Sequence, residues 1–118
     1  MAYVDGFLLA VPKKNLKAYE KMARVASKVW MDHGALEYRE CAGDDLAVKM
    51  GKPFPKAMKL KPGETAVFAW IVYRSRAHRD RVNRKVMEDP RIKQYDGKAM
   101  PFDPRRMCYG GFKVLVEA

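Results

Sequence analysis

Two stretches of the chain, Tyr3–Val11 and Glu64–Tyr73, are apolar at alternate positions in both registers. In the first, Tyr3, Phe7, Leu9 and Val11 fall on one side of a strand and Val4, Leu8 and Ala10 on the other. In the second, Val67, Ala69 and Ile71 oppose Ala66, Phe68, Trp70 and Val72. Side chains alternate between the faces of a strand, so a sheet built on these segments needs cover on both sides.

Between them lies a helical period. Leu16, Tyr19, Met22, Ala23, Ala26, Val29, Trp30 and His33 recur on one face, with Asn15 as the expected N-cap and Gly34 as the C-terminal stop. Ala35–Cys41 reads as a short, polar edge strand. Residues 43–63 form a long connection holding Pro53, Pro55 and Pro62. A second helix is predicted from a Ser75 cap to about Asp89, stopped by Pro90. The last strand, Met107–Val116, contains Gly110-Gly111, the mark of a bulge or of a close backbone approach. The order is that of a ferredoxin-like βαββαβ unit, an α+β fold whose first and third strands are central. Two helices cover one face of a four-stranded antiparallel sheet. The other face calls for a second copy of the chain, a homodimer with a shared interior.

With 118 residues and 48% hydrophobic positions, a single domain spanning 1–118 is expected. The longest apolar run, Ala66–Tyr73, is too short to cross a bilayer, and a cytoplasmic protein without membrane contact is expected. Cys41 and Cys108 stand alone and make no metal or redox pattern. No zinc spacing, phosphate loop or nucleophile elbow is present, and no cofactor is expected. The net charge of +10 is uneven. Arg74–Lys93 holds eight basic and three acidic residues, and Lys49–Lys61 adds five lysines and no acid. That bias could draw RNA by electrostatics alone. The aromatic-rich motif by which such sheets stack bases is missing from Ala66–Trp70.

Several side chains could carry chemistry. His78 shares a helix face with Val82 and Val86, and Arg79 and Asn83 flank that stripe. An imidazole can exchange a proton near neutral pH, and a guanidinium can hold a carboxylate. Asp5 is a carboxylate in a central strand, on the face of Tyr3 and Phe7, and must be paired or protonated there. Arg105, Arg106 or an arginine of the second helix is its expected partner. His78 and Asp5 are thus the candidate proton-transfer groups. Arg79, Asn83, Trp70 and Tyr109 are the candidate ligand contacts, with the lysine-rich connection as a lid. His33 reads as a helix-end cap, and Trp30 as core. Glu37 and Glu40 are three apart in a strand and face opposite ways, so they form no carboxylate pair.

Tyr3-Val4-Asp5-Gly6-Phe7, Val11–Leu16, Trp30–Cys41 (WMDHGALEYREC), Trp70–Pro90 (WIVYRSRAHRDRVNRKVMEDP) and Met100–Phe112 (MPFDPRRMCYGGF) together resemble the DUF1428, or YbaA-like, family. The resemblance runs nearly end to end. It implies a ferredoxin-like protomer within the dimeric α/β barrel superfamily, and it supplies no reaction. The wider superfamily includes small monooxygenases, haem-degrading enzymes and muconolactone isomerase-like proteins, whose catalytic residues do not map onto this chain. Two functions stay open at this point. One is a dimeric barrel binding a small anionic or aromatic ligand, with cofactor-independent oxygenase or isomerase chemistry as one form. The other is an RNA-binding or interaction protein acting through its basic helix and loop.

Overall fold

The computed structural model describes residues Met1–Ala118. Strand β1 (Tyr3–Pro12) leads through a 3-10 turn at Lys13–Asn15 into helix α1 (Leu16–Asp32). Edge strand β2 (Glu37–Ala42), a single helical turn α2 (Phe54–Ala57) and strand β3 (Glu64–Tyr73) follow. Helix α3 (Arg76–Glu88), a short α4 (Pro90–Lys93) and strand β4 (Cys108–Lys113) complete the chain. The sheet order is β2-β3-β1-β4 with every pairing antiparallel, the ferredoxin-like arrangement the sequence predicts. No helix is long and apolar enough to cross a membrane.

The central pair β1–β3 runs in unbroken register from Tyr3↔Tyr73 to Pro12↔Glu64. Its helix-facing residues make the core. Val29, Ile71, Tyr73, Val82 and Val86 form one buried cluster, and Leu9, Val11, Tyr19, Ala23 and Val67 a second. Phe7 touches both. Burying Val82 and Val86 completely is worth on the order of 1.5 kcal/mol each, and they are two of only three buried residues that α3 contributes.

The opposite face is bare over much of its area. Phe68 and Phe112 are 46% and 62% exposed there, and Val4, Leu8 and Trp70 are half-buried. The connection from 43 to 63 meets this face and not the helical one: Phe54 of α2 packs edge-on against Phe68, with ring centroids 6.4 Å apart.

Two local expectations change, and one pair of alternatives is decided. Asn15 does not cap α1 with its side chain, because a 3-10 turn precedes the helix and the amide Nδ2 donates to the Pro101 carbonyl. Gly110-Gly111 makes no bulge, since β4 pairs with β1 continuously from Tyr3↔Lys113 to Leu8↔Cys108. A Cβ on Gly111 would lie within 2.8 Å of the Tyr3 ring, so the glycine marks a close approach. Beyond Lys113 the chain leaves the sheet, and Leu115 and Val116 are both 86% exposed.

The helix ends are tied by charge. His33 caps α1 as its C-terminal residue, and its Nε2 lies 2.8 Å from Asp89 Oδ2. Asp89 caps α4 and accepts a forked pair of bonds from Arg91, which also reaches Asp32 of α1. Arg91 and then His33 hold the Asp89 carboxyl well below the usual carboxylate range. A depressed folded-state pKa stabilises the fold above the unfolded value of about 3.9 and loses that contribution as pH falls. Asp89→Asn is therefore expected to lower stability to urea at pH 7, with the gap to wild type narrowing steadily as pH falls below about 4. A gap that stays constant with pH would contradict this role.

Candidate functional site

Small residues open a space between the two core clusters. Ala69 at the centre of β3 faces Ala23 and Ala26 of α1, and α3 is too thin in apolar side chains to fill the gap. The result is a cavity of about 540 Å³ between the sheet and the helices. Its walls are largely apolar, with Trp30, Phe7 and Phe102 among the aromatics and Met22, Met87, Met100 and Met107 as pliable thioethers. It reaches β4 at Tyr109, Gly110 and Gly111. Tyr109 is 72% exposed and stacks on Phe7 with a centroid separation of 6.0 Å.

Polar groups gather at two poles of this cavity. At the first, Arg79 Nη1 donates to Asp5 Oδ1 at 2.6 Å, so the expected arginine of the second helix is the partner. The same guanidinium donates through Nε to Asp80 at 2.8 Å and lies over the Tyr3 ring, 4.9 Å from its centroid. Gly111 leaves the room that ring occupies, and so helps to seat Arg79. Asn83 Oδ1 accepts from Trp30 Nε1 at 3.0 Å and from the Tyr73 hydroxyl at 3.1 Å. Burial raises the Asp5 carboxyl above its ordinary range, and the Arg79 charge, with Asn83 and Tyr73, pulls in the opposite direction.

At the second pole, Glu40 of β2 accepts from the Tyr19 hydroxyl at 2.6 Å and from the Tyr38 hydroxyl at 2.8 Å. Burial first, and then the Glu40 carboxylate, pushes both phenols up, so they stay protonated. These three residues also border an outer groove of about 420 Å³ between α1 and β2. The poles are two strands and two residues apart, about 12 Å between Cα atoms from the sheet spacings.

The structure brings together Asp5, Arg79, Asn83 and Tyr109 among the residues expected at the site. His78 and Trp70 lie elsewhere. The His78 ring is buried behind α3, where Nδ1 accepts from the Arg74 backbone N–H at 3.0 Å and Nε2 faces the Gly34 backbone. Its own backbone N–H donates to the Ser75 cap at 3.1 Å. Burial, and then the charges of Arg74 and Arg81, lowers its pKa, so the ring is neutral with its proton on Nε2. Trp70 is on the opposite face of the sheet and donates to Glu37 Oε2 at 2.6 Å. The lysine-rich connection contributes no residue to the cavity wall, and Phe54 places it across the sheet, against its expected part as a lid.

Glu40, Tyr19 and Tyr38 are absent from the sequence-level candidates. The alternation Tyr38, Glu40 in β2 against Tyr19 in the stripe of α1 was the available signal, but the polarity of β2 reads equally as a solvated edge. No group of His, Cys, Asp and Glu suited to a metal ion is present.

A family model described as "Protein of unknown function (DUF1428)" matches residues 2–104. "Uncharacterized protein YbaA" of Escherichia coli (strain K12) is 43% identical over 117 residues, covering 99% of each chain. The protein of the same name from Shigella flexneri matches equally. Among solved structures, Rv0793 from Mycobacterium tuberculosis has a TM-score of 0.61 at 13% identity, covering 100% of this chain and 99% of that one. A dimeric ferredoxin-like protein from an uncultured marine organism has a TM-score of 0.51 at 16% identity, covering 100% of each. At these identities the solved structures share the fold alone.

Asp5 and Arg79 are both largely buried, so removing one partner strands the other. Asp5→Ala is expected to cost about 3 kcal/mol in urea denaturation, the low end of the range for a broken buried pair because Arg79 keeps Asp80. A cost under about 0.5 kcal/mol would show that the pair does not hold this end of the cavity together.

Proposed function

We propose that this chain, which belongs to the DUF1428 family, is a homodimeric barrel protein that binds a small aromatic ligand between its sheet and its helices. The observation that carries the reading is the cavity itself. Its volume of about 540 Å³ lies within the range of small-molecule sites, and a few polar groups converge on mostly apolar walls. Asp5, Arg79, Asn83 and Tyr109 are the contacts proposed from the earlier candidates. Of the two ligand types expected from sequence, the aromatic one suits walls built from aromatics and methionines.

The second copy is proposed to cover the bare sheet face. Gly6 and Gly110 sit opposite one another on that face and leave a recess, part of an apolar groove of about 520 Å³ that also includes Leu8, Phe68 and Phe112. A two-fold contact sets the same apolar surface of each copy against the other, so one groove can serve both halves. A dimeric relative of the same fold supports the arrangement. The basic surface of α3, where Arg76, Arg81, Arg84 and Lys85 are exposed and outside any ion pair, supports the alternative of polyanion binding.

N-phenyl-1-naphthylamine, a neutral aromatic whose fluorescence rises in apolar sites, tests the reading. Wild type is expected to bind it saturably, and Ala26→Trp, which fills the cavity from α1, to weaken binding at least about ten-fold with an unchanged far-ultraviolet spectrum. Non-saturable binding, or equal binding by the folded variant, would contradict the reading. Purified protein whose 260 nm absorbance is removed by salt would favour the polyanion alternative.

A further inference from the structure

The chain carries a net charge of +10, yet the cavity does not share it. No lysine lines the cavity, and Arg79 is its only cation. That cation is already spent on Asp5 and Asp80, with its face on Tyr3. Against it stand two wall carboxylates, Asp5 and Glu40.

The second pole is more selective than charge alone conveys. Tyr19 and Tyr38 each have one hydroxyl hydrogen, and both are committed to Glu40. What remains available is the free lone pairs of two phenol oxygens and of the Glu40 carboxylate. This end of the cavity therefore offers acceptors and no donors. A ligand carboxylate or phosphate placed here would meet negative charge and find no hydrogen to accept. An N–H or O–H group would meet three acceptors in an apolar surround, where charge-assisted bonds are strongest.

We infer that the Tyr19–Glu40–Tyr38 cluster is a recognition site for the hydrogen-bond donor of an aromatic ligand, an amine in neutral or protonated form, and that the cavity discriminates against anions. The inference rests on the ligand-binding reading above and narrows it. The aromatic body lies along Phe7, Trp30 and the methionines, and the amine end faces Glu40. The outer groove on the far side of the cluster keeps Glu40 in reach of solvent, so a proton accompanying the amine has a short path to water.

Three probes of one shape separate the outcomes: 2-naphthylmethylamine as the cation, 2-naphthalenemethanol as the neutral donor and 2-naphthoate as the anion. Each is titrated into wild type and Glu40→Gln, with the indole N–H resonance of Trp30 as the readout. That group lines the cavity and is held by Asn83 at 3.0 Å. The expected order is amine, then alcohol, then carboxylate, with the amine at least about ten-fold tighter than the carboxylate. Glu40→Gln is expected to shrink that ratio several-fold by weakening the amine, with a smaller change for the alcohol. A carboxylate that binds as tightly as the amine, or a ratio untouched by Glu40→Gln, would overturn the donor-site inference while leaving ligand binding in place. Failure of all three probes to move the Trp30 resonance would overturn the binding reading, and this inference with it.

Discussion

The apolar character of β1 and β3 on both faces is the constraint from which the rest of the structure follows. Ten residues of each pair without interruption, and neither strand has a polar side to give to water. Helices α1 and α3 satisfy one face through Val29, Val82, Val86, Tyr19 and Ala23. On the other face the turn of α2 packs against Phe68, and Ala10 and Ala66 are buried, but Phe68 and Phe112 stay 46% and 62% exposed. An antiparallel sheet can leave one face in water when that face is polar. Here Val4, Leu8, Phe68, Trp70 and Phe112 occupy it, and they are the apolar surface that the proposed second copy would cover.

The same economy explains the cavity. Two helices over a four-stranded sheet leave a gap wherever their side chains are short, and Ala23, Ala26 and Ala69 meet at that gap. The core divides into two clusters around it, bridged by Phe7. The polar poles hold its two ends. The Asp5–Arg79 pair joins β1 to α3, and the Tyr19–Glu40–Tyr38 cluster joins α1 to the edge strand. Each closes one end of the cavity with groups whose hydrogen bonds are satisfied inside the protein, and no buried polar side-chain atom is left unpartnered. A closed circuit of this kind holds both ends of the cavity in one arrangement.

How much of this was readable in the chain depends on the range of the interaction. The double alternation of Glu64–Tyr73 and the stripe from Leu16 to His33 are local periodicities, and they placed β3, α1 and the central position of the strands. Asp5 was conspicuous as a carboxylate in an apolar strand, and its partner lay among the arginines expected for it. Asn15 failed as a cap because its amide is drawn to Pro101, a contact 86 positions away that no local pattern contains. Trp70 and Tyr109 were grouped although they occupy opposite faces. The register Gly6↔Trp70 against Phe7↔Tyr109 separates them, and register is a property of pairing rather than of either strand alone. His78 shared the buried face of α3 with Val82 and Val86, as its spacing required, but the turn at Arg74 and the backbone of Gly34 claimed both ring nitrogens. Glu40 was hidden for the opposite reason, since an acid on an edge strand looks solvated until a tyrosine from α1 is laid across it.

Sedimentation equilibrium of the wild-type protein at micromolar concentration tests the central claim most directly. If the bare sheet face is an interface between two copies, the mass is twice the 13.6 kDa of one chain and stays so on dilution through the micromolar range. A species of 13.6 kDa at every concentration would contradict the account, because the apolar face of β1 and β3 would then stand in water.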